Sequence, residues 1–358
     1  SGKYPILIGF NLINKIPQIF KQNKINFTKC LLFIDEKVPK KFLKKIRKSL
    51  KGKENYTIIY KSNEINKNQK TVNKILDFLL KKNFARKDYL ISIGGGITGD
   101  VGGFAASLLK RGIKFINIPT TLLAQVDSSI GGKTGINSKY GKNMIGSFYQ
   151  PKLVISDMNF LASLPKKEII CGYGEILKHS LISNKNFFNF LDKNIKHILS
   201  LKTNYIDKSI YKSCIIKRNI VEKDFKENGL RKILNFGHTF GHAYEASLDY
   251  SSTLNHGEAV LLGISSASRF SHENKILGID ELNLISKHIK KINKNLSLNS
   301  FFKKKNIKKI TKFMSVDKKN SDDKVNLILI NRIGKVNFNN KFKLKKIESF
   351  LFNYFNII

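Results

Sequence analysis

Three histidines and a glutamate form the first set of side chains in this sequence that could do chemistry. His238 and His242 are four residues apart, a spacing that places both rings on one face of a helix. His256 follows in Asn-His-Gly-Glu, and Glu175 lies upstream in Gly-Tyr-Gly-Glu. Two histidines and one glutamate are the ligands of a catalytic zinc site that keeps one position open. Thr239 occupies the position that is glutamate in the HExxH motif, so we do not expect a metalloprotease. The alternative is that the histidines are capping or core residues.

A glycine-rich turn forms the second chemical feature. The segment Gly94–Asp100 has the spacing G-x-G-x-x-G, follows an apolar run and precedes a helical pattern over 101–110. Glycines there let the backbone approach a pyrophosphate at a helix N-terminus. The acidic residue usually found about 20 residues later is absent, and Asp35 at the end of an earlier strand is the better candidate. We therefore predict a Rossmann-like domain with a different strand order; the alternative is a tight turn.

Basic residues near glycines form a third feature. Lys133 and Lys142 lie in glycine-rich segments, where a closely packed lysine needs an anion. Arg111 follows the glycine-opened helix, and Arg231 lies four residues after Glu227; a guanidinium fork suits a carboxylate or phosphate. The alternatives are solvated lysines and arginine salt bridges.

Composition limits the possible classes of protein. The chain has 358 residues, 65 of them Lys or Arg, and a formal net charge of +39. Only seven of the basic residues are arginine, and the lysines are spread along the whole chain with many Asn and Ile. This pattern indicates a compositional bias, so we expect no specific nucleic-acid partner. The three cysteines are far apart, and no apolar run reaches the roughly 20 residues of a membrane span. We expect a cytoplasmic protein without a membrane association.

Strand and helix signals alternate along the first half of the chain. Strands are predicted at 29–34, 56–60, 89–93, 114–118 and 153–156, and a helix at 71–82. After Asp157 the signals are almost all helical, apart from a strand or hairpin at 325–330. We therefore expect an α/β fold: an N-terminal Rossmann-like, mostly parallel sheet domain over 1–157, followed by an all-helical metal-binding domain over 158–358.

Several motifs in order resemble the 3-dehydroquinate synthase family, one of the sugar-phosphate cyclases. The resemblance is carried by segments spread over nearly the whole chain: 94–100, 118–129, 131–135, 141–146, 161–165, 174–178, 229–242 and 256–258. It departs from the family pattern in the early segment 62–67, where only Glu64 and Lys67 are kept.

The resemblance implies NAD, one divalent metal (zinc, or cobalt) and a sugar-phosphate substrate, in a homodimer. The implied metal ligands are Glu175, His238 and His256. The implied NAD contacts are Asp35, Glu64, Lys67, Gly96, Ile97, Thr98, Gly99, Asp100, Thr120, Thr121, Lys133, Lys142, Phe160, Leu161, Ala162 and Ser163. The implied catalytic and substrate residues are His242, Glu227, Lys133, Arg231, Asn235, Lys178, Lys217, Asp127, Arg111 and Asn143, with one late lysine, Lys318 or Lys319.

The family's reaction turns 3-deoxy-D-arabino-heptulosonate 7-phosphate into 3-dehydroquinate and phosphate, a step of the shikimate pathway. By resemblance, NAD oxidises the C5 hydroxyl, phosphate is eliminated, the hydride returns and an intramolecular aldol closes the ring. Two rival functions stay open: another sugar-phosphate cyclase, and a metal-dependent polyol dehydrogenase, which would release NADH.

Overall fold

The computed structural model describes residues 3–251, 253–316 and 324–357. The chain folds as two compact units, one up to Pro165 and the other from Lys166 onward. The late lysine predicted to contact the substrate, Lys318 or Lys319, lies outside the described residues.

The first unit alternates strands and helices. Its strands are β1 (Ile6–Gly9), β2 (Lys29–Asp35), β3 (Glu54–Tyr60), β4 (Tyr89–Gly94), β5 (Lys114–Pro119), β6 (Lys133–Ser138), β7 (Gly141–Phe148) and β8 (Leu153–Asp157). Its helices are α1 (Ile16–Gln22), α2 (Lys40–Ser49), α3 (Gln69–Lys81) and α4 (Gly96–Leu108).

Six of these strands form a parallel sheet in the order β1-β8-β5-β4-β2-β3. Apart from the edge strand β1, this is the doubly wound order of flavodoxin-like folds, not the classical Rossmann order. The predicted parallel sheet and its different strand order are both confirmed. The order reverses between β2 and β4, so a crevice is expected beyond the carboxyl ends of these two strands.

Apolar packing on both faces explains the continuous hydrophobic runs of the central strands. Residues 31–34 of β2 are fully buried, and alternate side chains enter two separate core clusters. Leu32 and Ile34 pack in a cluster that includes α1 and α2, whereas Leu31 and Phe33 pack in one that includes α3 and α4. Helices on both faces of a parallel sheet produce this pattern.

An antiparallel hairpin, β6–β7, was not predicted from the sequence. Its strands contain glycine, lysine and asparagine, which are depleted in strands. One side-chain hydrogen bond supports the pairing: the Thr134 hydroxyl donates to the Ser147 carbonyl at 2.9 Å. Next to it, Gly135 lies opposite Gly146 in the register of the two strands.

The second unit is helical, as predicted, with one hairpin. Its helices are α5 (Lys166–Ser183), α6 (Lys185–Leu199), α7 (Thr203–Lys223), α8 (His238–Ser247), α9 (His256–Glu273), α10 (Ile279–Ile292), α11 (Ile307–Val316) and α12 (Leu344–Ile357). Strands β9 (Lys324–Arg332) and β10 (Lys335–Lys343) pair antiparallel and contain the apolar segment predicted as a strand or hairpin.

Cys30, Cys171 and Cys214 are buried, and none of the three forms a disulfide. Among the helices of residues 3–251, 253–316 and 324–357, none has both the length and the apolarity needed to cross a bilayer.

Candidate functional site

The carboxyl edge of the parallel sheet gathers most of the residues predicted to bind a dinucleotide. Asp35 ends β2 and Gly94 ends β4, the two strands that flank the reversal in strand order. A Cβ atom on Gly94 would lie only 2.8 Å from the Cβ of Asp35 and 2.6 Å from the Thr98 hydroxyl. Glycine at the end of β4 therefore lets this strand end close beside Asp35.

The first turn of α4 provides a backbone site for an anion. The N-cap is Gly95 and the helix begins at Gly96, earlier than the sequence pattern predicted. The first N–H groups of a helix have no partner within the helix and carry partial positive charge. Because the cap residue has no side chain, these groups can bind a phosphate.

Burial changes the acidity of Asp35, the last residue of β2. Asp35 is 7% exposed, and burial raises the pKa of its carboxyl, although the Lys37 N–H donates to Oδ1 at 3.0 Å and opposes that shift. Ser62, which also bonds this carboxyl, accepts a hydrogen bond from Thr98 at 3.2 Å.

The segment after β3 is tied to the β6–β7 hairpin. The Lys67 ammonium donates to Asp100 Oδ2 at 2.7 Å and to Asn143 Oδ1 at 2.5 Å. The Asn137 amide donates to Glu64 Oε2 at 2.7 Å. The structure therefore brings Glu64, Lys67, Asp100 and Asn143 together, and Lys142 lies 3.6 Å from the Glu64 carboxylate.

Other predicted residues of this unit fall into two groups. Lys133 lines a pocket together with Gly99, Asp100 and Ser128, and Asp127 directly precedes Ser128 in the chain. Arg111 lies beyond the C-terminal end of α4, a separation of roughly 20 Å from Gly96 at 1.5 Å per residue. Within this unit, the structure does not bring Arg111 to the dinucleotide residues.

The turns after β5 and β8 follow the carboxyl ends of two further strands of the sheet. The Thr120 N–H donates to the Gly94 carbonyl at 2.9 Å, and Thr121 packs beside Gly95. Phe160 and Leu161 are core residues, and the Phe160 ring contacts Phe42 at 4.5 Å between centroids. Their side chains therefore cannot contact a dinucleotide, whereas Ala162 and Ser163 are exposed.

The second candidate site is a cluster of side chains from three helices of the second unit. Glu175 of α5, His238 of α8 and His256 of α9 place one ligand atom each within 4.8 Å of one another. Glu175 Oε1 lies 3.2 Å from His238 Nε2 and 3.9 Å from His256 Nε2. Tetrahedral ligands with bonds of about 2.1 Å lie about 3.4 Å apart. The spacing therefore fits a zinc-sized ion.

Glycines allow these three helices to approach each other closely. A Cβ atom on Gly257 would lie 2.1 Å from the Cα of Cys171, at the contact of α9 with α5. A Cβ atom on Gly263 would lie 2.0 Å from the carbonyl oxygen of Gly237, at the start of α8, where Gly237 itself has a φ of 79°. Larger residues would separate the helices that carry the three ligands.

The Nδ1 atoms of both candidate histidine ligands contact acceptors. His256 Nδ1 lies 3.1 Å from Glu245 Oε2, and His238 Nδ1 lies 3.3 Å from the Phe236 carbonyl. An Nδ1–H bond of this kind fixes the tautomer that directs the Nε2 lone pair to a metal. Both Nε2 atoms face Glu175.

The Glu175 carboxylate is fully buried among cationic groups. Burial raises its pKa, but the Lys178 ammonium, in direct ionic contact, and His238 outweigh burial and hold the pKa well below its usual range. In the described part of the chain, neither carboxylate oxygen has a hydrogen-bond partner of good geometry. A buried, charged oxygen of this kind fits a metal ligand.

His242 and the remaining predicted residues surround this cluster. His242 is exposed, one turn beyond His238, with its ring centroid 5.2 Å from that of His238. Lys178 and Lys217 are buried on α5 and α7. Arg231 is 2% exposed, and its guanidinium donates to the Phe225 carbonyl at 2.6 Å.

The loop that joins α7 to the turn at Leu230–Asn235 is held by an aspartate. Asp224 accepts the backbone N–H groups of Arg231, Gly229 and Asn228, and these bonds lower the pKa of its carboxyl. Glu227, in this loop with a φ of 61°, accepts a hydrogen bond from the Asn235 amide at 3.0 Å. Glu227 and Asn235, two of the predicted site residues, are thus brought together.

Comparison with known proteins decides the family. Residues 57–171 match the family model described as 3-dehydroquinate synthase N-terminal, and residues 172–320 match 3-dehydroquinate synthase C-terminal. The chain belongs to the 3-dehydroquinate synthase family. It is 57% identical over 351 residues to the 3-dehydroquinate synthase of Pelagibacter ubique, covering 98% of this chain and 95% of that protein. The enzyme of Alkaliphilus metalliredigens is 39% identical, over 94% of this chain and 92% of that one. The family and the lyase activity expected from the motifs are confirmed.

Solved structures of other sugar-phosphate cyclases share the fold. A 2-epi-5-epi-valiolone synthase from Streptomyces hygroscopicus subsp. jinggangensis, solved with NAD+ and Zn2+, has a TM-score of 0.89 at 23% identity, covering 100% of this chain and 98% of that one. A 2-deoxy-scyllo-inosose synthase, solved with carbaglucose-6-phosphate, NAD+ and Co2+, has a TM-score of 0.88 at 22% identity, covering 98% and 97%. The dehydroquinate synthase-like fold is confirmed.

Sequence reasoning missed Glu245 and Asn137 as members of these sites. Glu245 contacts a candidate metal ligand, and Asn137 joins the hairpin to Glu64. A signal for Glu245 was present: it follows His238 and His242 at helical spacing, so all three share one face of α8. Asn137 gave no such signal, because its contacts depend on a hairpin that the sequence did not predict.

Proposed function

We propose that this chain converts 3-deoxy-D-arabino-heptulosonate 7-phosphate to 3-dehydroquinate and phosphate, using NAD and one divalent metal, zinc or cobalt. The proposal is carried by the cluster of Glu175, His238 and His256, whose buried carboxylate has no well-formed hydrogen bond within the described residues. Family membership gives the substrate, and the helix N-terminus at the switch point gives the place for the dinucleotide.

Within the proposal, the C-terminal domain predicted over 158–358 holds the metal and most of the substrate contacts, and the sheet domain predicted over 1–157 holds NAD. When bound, NAD accepts and returns a hydride, and the metal lowers the pKa of a substrate hydroxyl. Glu175, His238 and His256 hold the metal. The backbone N–H groups from Gly96 to Asp100 bind the pyrophosphate, and the Asp35 carboxylate accepts hydrogen bonds from the ribose hydroxyls.

His242 is the proposed acid–base group. Its imidazole is exposed and stands beside the candidate metal ligands, where it can take a proton from a substrate hydroxyl. Glu227 is proposed to act with it in proton transfer, oriented by the Asn235 amide.

The anionic ends of the substrate need fixed cations. We assign the cations Lys178, Lys217 and Arg231 in the helical unit, and Lys133 and Arg111 in the sheet unit, to these contacts. Asn235, Asn143 and Asp127 are assigned to uncharged polar groups of the substrate. Lys178 and Arg231 are each 2% exposed, so their positions are fixed before a substrate binds.

We further propose that the enzyme works as a cytoplasmic homodimer. Large apolar side chains are exposed together on the β6–β7 hairpin: Tyr140 is 80%, Met144 66% and Phe148 44% exposed. Covering them with a second copy removes this surface from water. Light scattering on the purified protein should give a dimer mass, and Met144→Lys should shift it toward the monomer. A wild type that is monomeric at micromolar concentration would contradict this assignment.

The test of the reaction is phosphate release from the heptulosonate phosphate, with NAD present or absent and with or without a chelator. We expect release only with both cofactor and metal, and no net accumulation of NADH. Net NADH formation from a polyol would support the dehydrogenase instead. Turnover of a different sugar phosphate, without turnover of this one, would support another cyclase.

A further inference from the structure

Lys67 is a buried lysine whose ammonium is bonded to two protein oxygens. It is 4% exposed, and its Nζ donates to Asp100 Oδ2 at 2.7 Å and to Asn143 Oδ1 at 2.5 Å. Asp100 belongs to the start of α4, and Asn143 belongs to β7. The lysine therefore joins the proposed dinucleotide segment to the hairpin that carries a proposed substrate residue.

The chemistry of lysine fixes the orientation of the asparagine amide. An ammonium group has three donors and no acceptor, so only the carbonyl oxygen of the Asn143 amide can face it. The amide NH2 group must then point away from Lys67. Without the lysine, rotation about χ2 could present either the oxygen or the nitrogen to a ligand.

The backbone of Asn143 is fixed by a second contact. Its φ is 56°, and its N–H donates to Asn137 Oδ1 at 3.0 Å, while the Asn137 amide is bonded to Glu64. The side chain itself is exposed. A fixed backbone and a fixed carbonyl leave the exposed NH2 group as a donor with a defined direction.

We propose that Lys67 is a positioning residue for the substrate, acting through Asn143, and not only a contact of the dinucleotide. The inference depends on the proposed function, which assigns Asn143 to the substrate. The oriented NH2 group would donate to an oxygen of the sugar phosphate. The same ammonium neutralises Asp100, whose carboxylate would otherwise repel a pyrophosphate bound at the start of α4.

A double-mutant cycle on the holoenzyme tests this role. Lys67→Met removes the donors and keeps the aliphatic stem, and Asn143→Ala removes the amide. Each single change should raise KM for the heptulosonate phosphate about 10-fold or more, the scale of a charge-assisted hydrogen bond, with kcat changing less than about threefold. In the Asn143→Ala background, Lys67→Met should raise KM by no more than about twofold.

Two variants separate positioning from a general loss of structure. Lys67→Gln keeps an N–H donor toward Asn143, so its KM should lie between the raised value of Lys67→Met and the wild-type value. Lys29→Met is the matched control. The Lys29 ammonium donates to the Lys82 carbonyl at 2.8 Å, at the end of the sheet where β2 begins and not where it ends. We expect its KM to stay at the wild-type value, with a comparable loss of thermal stability.

A measurement without substrate distinguishes failure of this inference from failure of the proposed function. The Asn143 side-chain NH2 signals, assigned by their loss in Asn143→Ala, should be sharp in the wild type and shifted or broadened in Lys67→Met. Unchanged signals would overturn the positioning role even if the wild type turns over. KM effects that multiply in the cycle, together with weaker NADH binding, would make Lys67 a dinucleotide contact only. A wild type that releases no phosphate, yet shows the NMR change, would contradict the proposed substrate and leave the positioning role supported.

Discussion

The two candidate sites use different parts of the polypeptide. At the edge of the parallel sheet, α4 begins at Gly96 and offers backbone N–H groups, with the Asp35 carboxylate at the end of β2 nearby. In the helical unit, the candidate ligands are side chains of three helices, of which α5 lies far in sequence from α8 and α9. The first site depends on where strands end, and the second depends on how closely helices pack.

This difference determines which changes each site tolerates. A backbone site keeps its hydrogen-bond donors when a neighbouring side chain changes, so a single substitution should have a graded effect on affinity. A site of converging side chains loses function when one group is removed or one helix moves.

His242→Ala should give the largest loss. It removes the proposed acid–base group but none of the three metal ligands, so turnover should fall by roughly 10²- to 10⁴-fold while metal affinity stays nearly constant. Phosphate release measures the first quantity, and competition with a chelator measures the second. His197→Ala, which removes an exposed histidine of α6, is the control. Loss of the metal in His242→Ala would mean that His242 is a ligand.

Glycine-to-alanine changes in the two units compare the packing of the sites directly. Gly257→Ala would place a Cβ 2.1 Å from the backbone of Cys171, so α9 and α5 must separate. We expect a loss of about 3 kcal/mol in the free energy of unfolding, and weaker binding of cobalt. In Gly95→Ala, the nearest atom is the Thr121 methyl at 3.3 Å, and the loss should stay below about 1 kcal/mol. Urea unfolding measures both, and equal losses would contradict the contrast.

The same contrast explains what the sequence could and could not predict. Strands β2, β4 and β5 are buried on both faces, so their apolar runs located them to within one residue at either end. The spacing of His238 and His242 predicted that both lie on one face of a helix, because residues four apart in a single helical segment point to the same side. The β6–β7 hairpin and the contacts of Asn137 could not be predicted, because they depend on side chains distant in sequence and on glycine-rich strands with low strand propensity.

Arg231 shows a different limit of prediction from the sequence. Only seven residues are arginine, and a guanidinium fork suits a carboxylate or phosphate, so the sequence favoured Arg231 as an anion contact. In the structure, the Arg231 guanidinium donates to the Phe225 carbonyl at 2.6 Å, and the Arg231 backbone N–H donates to the Asp224 carboxylate. Arg231 therefore also stabilises the loop that carries Glu227, a structural contribution that residue type alone did not reveal.

Glu245→Gln should weaken the metal site without removing a ligand. Glu245 accepts the hydrogen bond of His256 Nδ1, and carboxylates in this position orient the imidazole and raise its basicity. We expect metal affinity to fall by roughly 10- to 100-fold, measured by chelator competition, with a shift of the Co2+ absorption bands. Glu281→Gln, which changes a glutamate bonded to the Ile333 N–H in the same unit, is the control. An unchanged metal affinity in Glu245→Gln would show that the contact of His238 with the Phe236 carbonyl and the contacts of both histidines with Glu175 are enough to maintain the metal site.

Asp35→Asn should give the smallest effect, and it tests the backbone site most directly. Both proposed ribose contacts need an acceptor, and asparagine keeps one acceptor oxygen while losing the charge. Because the backbone N–H groups of α4 still bind the pyrophosphate, we expect NADH affinity to fall only about 10-fold, with KM for the sugar phosphate nearly unchanged. Asp88→Asn is the matched control: it is a buried aspartate of the same unit, at the opposite edge of the sheet, where it accepts the Ala85 N–H at 2.6 Å. NADH binding measured by fluorescence should be normal in this control. A loss of all NADH binding in Asp35→Asn would mean that the side chain, and not the helix N-terminus, dominates this site, and the contrast between the two units would then fail.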